Sequence, residues 1–251
     1  MLNVLLLASG IALYVWLVLI LWRRRVYRNF PVFFSYNIYA VVGSTARLLA
    51  SSDVFLYFYV FWWTDLGFLL FGIASIHKAF RSVFEGFYLL RWFRWLYFGA
   101  IGTIVAASIL NSVFNRPVEV FPFLRIVLDI ETPIYCVQAA IFGLFYLCVK
   151  LLNIGFTRYP FAIVLGFGIQ AMGTLLPFVA RSIFGKKAEI FVAYTHVVAY
   201  YVTLAVWLSA FLGTDRGQDE QAPPMSSEQM ADQVRQYTRI VKGFFGRSNA
   251  S

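Results

Sequence analysis

Apolar residues fall in seven blocks of about 20, and at about 1.5 Å rise per residue each is long enough to cross a hydrocarbon core of roughly 30 Å. The blocks are Met1 to Trp22, Phe30 to Ala50, Val54 to His77, Trp95 to Phe114, Pro133 to Leu152, Phe161 to Phe184 and Ile190 to Leu212. Connections between them are mostly short and carry Arg, Lys, Pro or Asn. The pattern predicts an all-α fold: a polytopic membrane protein built as a seven-transmembrane-helix bundle over residues 1–212. Four arginines follow the first block instead of preceding it, the reverse of a secretory signal, so it is expected to be retained as a span.

The two longest connections are His77 to Arg94 and Asn115 to Thr132. The first mixes bulky apolar residues with Lys and Arg; it is expected to extend the third helix to a break at Glu85-Gly86 and then lie along the headgroups. Small residues recur at helix-packing spacing, as in Gly102 with Ala106, Ala139 with Gly143, and the cluster Gly166, Gly168 and Gly173. Pro177 removes a backbone donor from the sixth block, where a kink is expected.

After Leu212 the pattern stops. Residues 213–225 form a polar linker ending in Pro223-Pro224, too poor in apolar residues to build a core. Ser226 and Gln229 then make a capping-box start, and Met230, Val234, Tyr237, Val241 and Phe244 recur at spacings of four and three. This predicts a short amphipathic C-terminal helix over 226–246, for the membrane surface or a cytoplasmic protein partner, with 247–251 as a disordered end.

Composition agrees with a membrane class: 61% of the 251 residues are hydrophobic and only 13% charged, with a mean hydropathy of +0.72. The formal net charge of +9 in a soluble protein would raise nucleic-acid binding. Here the basic residues sit where apolar blocks end, so they are read as topogenic and no nucleic-acid partner is expected. One set of alternate connections carries Arg23, Arg24, Arg25, Arg28, Lys78, Arg81, Arg91, Arg94, Lys150 and Arg158; the other carries Arg47, Arg116, Arg125, Arg181, Lys186 and Lys187. The richer set is expected to be cytoplasmic, which puts the amino terminus outside and the C-terminal tail inside. Cys136 and Cys148 share one predicted helix, 12 residues apart, too far for a disulfide.

Candidate chemistry begins with Asp65, in the run FYVFWWTDLGFLLFG. A carboxylate near mid-membrane costs roughly 2.5 to 3.5 kcal/mol on insertion scales and usually faces the bundle interior with a partner. Depth along the helices nominates Arg47, Gln138, Gln170 and His196 as partners, with Trp62, Trp63, Tyr194 and Tyr200 nearby. Together these groups describe an outward-opening polar cavity; the alternative is that each only hydrogen-bonds a neighbouring helix. A retinal chromophore would need a lysine in the seventh block, which has none, and the two histidines, His77 and His196, lie at opposite depths, which excludes a bis-histidine haem. Neither a metal cluster nor a catalytic or phosphate-binding motif is present in the sequence, so no cofactor and no enzymatic reaction are expected.

The stretch from Tyr57-Phe58-Tyr59 through Trp62 and Asp65 to Ile76-His77-Lys78-Ala79-Phe80-Arg81-Ser82-Val83-Phe84 resembles a group of bacterial seven-span membrane proteins with no assigned function. The pattern of that group has an acidic residue where this chain has Lys78. The resemblance implies a bacterial inner membrane and supplies no active site. The expected function is a sensory or receptor-like module. A small transporter or proton-coupled permease using Asp65 is the alternative, and a structural subunit of a membrane complex the third; among partners, a second copy of the chain in a homo-oligomer is also considered.

Overall fold

In the computed structural model, described over residues 2–84, 95, 97–99, 101–103, 106, 110, 122–152, 158–184 and 189–213, the chain is all-helical, with no strand among those residues. Helix α1 is Leu2–Arg23, α2 is Pro31–Ala50 and α3 is Val54–Val83. The described residues within 95–110 are helical and are called α4. Helices α5 (Pro122–Leu152), α6 (Arg158–Phe184) and α7 (Glu189–Leu212) follow. The linker and the amphipathic helix expected over 213–251 lie, beyond Gly213, outside the described residues.

Among the described residues four helices are long and apolar enough to cross a membrane: Leu6–Arg23 of α1, Val54–Val83, Arg158–Pro177 of α6 and Tyr194–Leu212 of α7. In α5 the apolar stretch is shorter, Pro133–Leu147. Helix α2 carries Ser35, Asn37, Ser44, Thr45 and Arg47, which lower its hydropathy. Asn37 and Ser44 are buried on its inner face and Arg47 is mostly covered, whereas Ser35 and Thr45 are exposed, Thr45 Oγ1 donating to Val41 O at 2.7 Å.

Local sequence sets the helix ends. Asp53 caps α3, its Oδ1 accepting from Phe55 N at 2.9 Å and Leu56 N at 3.2 Å. Pro31 opens α2 at its first turn, where a missing N–H costs nothing. Between α1 and α2, Arg25 takes a left-handed conformation (φ 55°) that turns the chain into one 3₁₀ turn, Val26–Arg28. Helix α3 passes His77 and ends at Val83, just before Glu85-Gly86. Helix α6 runs through Pro177 without interruption.

Two helix starts differ from the sequence expectation: α6 begins at Arg158, three residues before Phe161, and α5 begins well before Pro133. Residues 122–132 are the first turns of α5 and not a connection, so the loop expected from Asn115 to Thr132 is shorter. Arg125, Asp129 and Glu131 hide an otherwise amphipathic segment, and Pro133 suggests a helix start. The start is instead Pro122, and α5 accommodates Pro133 in its interior.

Packing makes a closed circuit. The most extensive interface is α6 with α7, followed by α2 with α3, α5 with α6 and α1 with α2; α3 with α5 and α1 with α7 complete the ring. Trp207 and Phe211 of α7, Phe33 and Tyr36 of α2, and Phe167 of α6 form an aromatic layer that solvent does not reach. Phe33 meets Trp207 edge-on at 5.0 Å, Tyr36 meets Phe167 at 5.0 Å and Phe167 meets Trp207 at 5.2 Å. The indole N–H of Trp207 donates to Ala162 O at 3.1 Å and Thr203 Oγ1 to Gly166 O at 3.0 Å, joining α7 to α6. On the outer flank of α3, Val54, Phe55, Tyr59 and Trp63 are exposed, as lipid contact requires.

Two arginines hold the end of α7. Arg24 Nη2 donates to Leu212 O and Arg158 Nη2 to Ser209 O, both at 3.0 Å, where cations complement the C-terminal carbonyls.

The small residues divide into two groups. A Cβ at Gly166 would run into the Trp207 indole, at Gly168 into Phe142 and at Gly173 into Ala199, so these three permit close approach of α6 to its neighbours. Gly102 and Gly143 have nothing within 4 Å of that position, so no close helix packing at them is seen among the described residues. Gly166→Val should therefore destabilise the fold by about 1–3 kcal/mol through overpacking, seen as a lower thermal unfolding midpoint in detergent. Gly143→Ala should leave the midpoint unchanged or raise it.

Candidate functional site

Helix α3 turns Asp65 toward α2, and Arg47, in the last turn of α2, reaches it across the interface. Arg47 Nη2 lies 3.4 Å from Asp65 Oδ1, and the two side chains are 16% and 18% exposed. That distance is long for a charge-assisted bond. The guanidinium is fixed mainly by its other contacts: Nε donates to Thr64 Oγ1 at 2.6 Å and Nη2 to Phe61 O at 3.1 Å. Thr64 in turn donates back to the α3 carbonyls of Val60 (2.7 Å) and Phe61 (2.9 Å). The Phe61 ring lies 4.3 Å and the Phe68 ring 5.2 Å from Arg47 Cζ, so the cation is held between two aromatic faces.

These groups open onto a cavity of about 410 Å³ lined by α1, α2, α3, α5, α6 and α7. Arg47, Asp65, Gln170 and His196 all line it. Gln170 reaches it from α6 and accepts from Tyr36 Oη at 3.5 Å. His196 lies on α7 and is exposed, at the rim. Gln138 does not line the cavity. It is buried lower in the bundle, where Nε2 approaches Gly72 of α3, because α5 presents that face to α3 and α6.

The aromatic residues expected nearby also separate. Tyr200 lines the cavity, whereas Trp62, Trp63 and Tyr194 do not. Trp63 is two residues from Asp65, about 200° around the helix, and is exposed on the opposite face. The walls are instead Tyr14 of α1, Tyr36 of α2, Phe68 of α3, Tyr135 of α5 and Tyr200 and Tyr201 of α7, with Ser44 beside Arg47. A spacing signal for some of these is present in the sequence: Tyr36, Ser44 and Arg47 fall on one face of α2, and His196, Val197, Tyr200 and Tyr201 on one face of α7.

Neighbouring contacts hold the walls. Tyr201 Oη donates to Leu6 O at 2.9 Å and lies 2.7 Å from Ser9 Oγ, tying α7 to α1. Gly10 lets the Tyr200 ring lie against α1, its edge toward Tyr14 at 5.8 Å between centroids. Gly67 makes the same kind of room for the Tyr39 hydroxyl, which donates to Thr64 O at 3.2 Å.

Among the described residues no group of three His, Cys, Asp or Glu is placed to hold a metal ion. The cavity can bind a small molecule through one cation, one anion and several neutral polar groups set in aromatic walls, the usual make-up of a ligand pocket of this size. No family model, no curated protein and no solved structure matches the chain.

If the pair is coupled, removing one member should cost more than removing both. Arg47→Met should destabilise by about 1–3 kcal/mol because it leaves Asp65 uncompensated. Adding Asp65→Asn to Arg47→Met should recover part of that loss. Thermal unfolding of the four proteins of this cycle in detergent measures it; strictly additive losses would mean that the two groups do not interact.

Proposed function

We propose that the chain is a seven-span, receptor-like module of a bacterial inner membrane, with its amino terminus outside and its tail in the cytoplasm. It takes a small amphipathic ligand into the cavity at Arg47 and Asp65 and passes the occupancy to the tail. One observation carries the reading: the cavity is closed beneath by packed aromatic rings. Tyr36 and Gln170 form its floor, and Phe33, Phe167, Trp207 and Phe211 fill the bundle below them. A cavity backed on one side by packed rings suits binding and release from the other. Transport requires a second access route, on the far side of this layer.

The topology rests on the Lys and Arg distribution among the connections. The mouth at His196 then faces outward, since the first turns of α7, the last turns of α2 and the first turns of α3 share the amino-terminal end of the bundle. The output rests on α7: its first half lines the cavity, and its last turn, held by Arg24 and Arg158, leads into the tail. A rigid helix contacting both regions is a physical link between them.

A panel of small amphipathic compounds screened by thermal unfolding tests this reading. A true ligand present at 100 times its Kd should stabilise the protein by about 2.7 kcal/mol. Asp65→Asn and Arg47→Gln should remove most of that shift. Accumulation of the same compound inside proteoliposomes, dependent on Asp65, would replace the receptor reading with the transporter one.

A further inference from the structure

The cavity carries more hydrogen-bonding capacity than the protein uses. Arg47 directs Nε and Nη2 into the contacts with Thr64, Phe61 and Asp65, while Nη1 makes no hydrogen bond among the described residues. Asp65 receives Arg47 through Oδ1 alone, and Oδ2 likewise makes none. Neither Nη1 nor Oδ2 is a buried orphan, a condition found only at Asn37 Oδ1 among the described side chains, so both atoms keep accessible surface, on residues that line the cavity. A free donor edge on a cation therefore stands beside a free acceptor on an anion, on two residues that line one cavity.

We infer that the ligand is a small zwitterion with an apolar or aromatic body, such as an α-amino acid, whose carboxylate meets Arg47 and whose ammonium meets Asp65. This inference rests on the receptor reading of the same cavity. Charge balance is the reason for a zwitterion. A simple anion drawn to Arg47 would lie beside the Asp65 carboxylate, and a simple cation drawn to Asp65 would lie beside the guanidinium; in a partly desolvated site each meets a like charge. A zwitterion brings one charge for each, and both new bonds are charge-assisted. The loose 3.4 Å approach of the protein's own pair leaves Asp65 available to a better-placed ammonium. Arg47 is held by Thr64, Phe61 and Phe68 whether or not Asp65 is engaged, so it presents Nη1 in a fixed direction.

The remaining wall selects the body. Phe68, Tyr14, Tyr36 and Tyr200 surround the space next to the ion pair, a lining suited to a ring or a branched aliphatic group. A strongly hydrophilic side chain would lose its hydration there without enough partners to replace it.

The test uses the full-length protein in nanodiscs and four probes with one body: phenylalanine, its methyl ester (cation), N-acetylphenylalanine (anion) and N-acetylphenylalanine methyl ester (neutral). Calorimetric or equilibrium-dialysis binding should rank phenylalanine first, at least about tenfold tighter than any of the others, because each analogue leaves a buried charge without its partner. Asp65→Asn should bring phenylalanine down to the affinity of the N-acetyl acid, and Arg47→Gln down to that of the methyl ester. Circular dichroism and unfolding midpoints check that both variants are folded. Equal or tighter binding of a singly charged or neutral probe overturns the zwitterion while leaving a receptor in place. Failure of all four probes also overturns it. Failure of the wider amphipathic panel as well would overturn the receptor reading itself.

Discussion

A carboxylate in the middle of an apolar helix must find compensation, and the Arg47–Asp65 pairing of α2 with α3 is where this protein supplies it. The compensation is built from both helices. Arg47 comes from the end of α2, while Thr64, Phe61 and Phe68 of α3 fix the guanidinium through two hydrogen bonds and two ring faces. Asp65 thus gains a positive neighbour whose position does not depend on Asp65 itself. It is this arrangement that admits a helix as polar as α2 to the interior. Ser44 and Arg47 need a polar surround, and the cavity provides it.

The bundle is divided by depth. Toward the amino-terminal end, polar side chains and tyrosines surround an open volume; toward the other end, rings of α2, α6 and α7 pack without space between them. Glycines make the division feasible. Gly166 and Gly173 bring α6 against α7 tightly enough for Trp207 to bond Ala162, and Gly10 lets Tyr200 rest on α1 as a wall of the cavity. Hydrophobic burial alone would favour filling the cavity as well. On its walls Ser44, His196 and Tyr200 make no side-chain hydrogen bond among the described residues, and such groups favour water or ligand there instead.

Much of the helical framework is legible in the sequence. Val54 is read as the start of α3, and Ala50, Phe184 and Leu212 as helix ends, because the apolar pattern begins or breaks there. The start of α5 is not legible, because Pro133 is a stronger local signal than the amphipathic turns before it. Depth arguments bring Arg47, Asp65, Gln170 and His196 to a common level, but depth carries no azimuth. Gln138 lies deeper than its count from Pro133 implies, beside Gly72 of α3, because α5 starts at Pro122, and Trp63 neighbours Asp65 in sequence and points away. The tyrosine walls depend on which helices are neighbours, information that lies in long-range packing and not in any one helix's periodicity.

The central claim is that the polar groups around Arg47 and Asp65 border a space open to water or ligand and not a sealed packing contact. In a background with Cys136 and Cys148 replaced by serine, the reactivity toward a water-soluble maleimide of Gln170→Cys, a partly exposed position on the cavity wall, measures this directly. Ser75→Cys serves as the comparison, ten residues along α3 from Asp65 and only 1% exposed. The account predicts rapid modification at position 170 and slow modification at position 75. Equally slow modification at both positions, in folded protein, would contradict it.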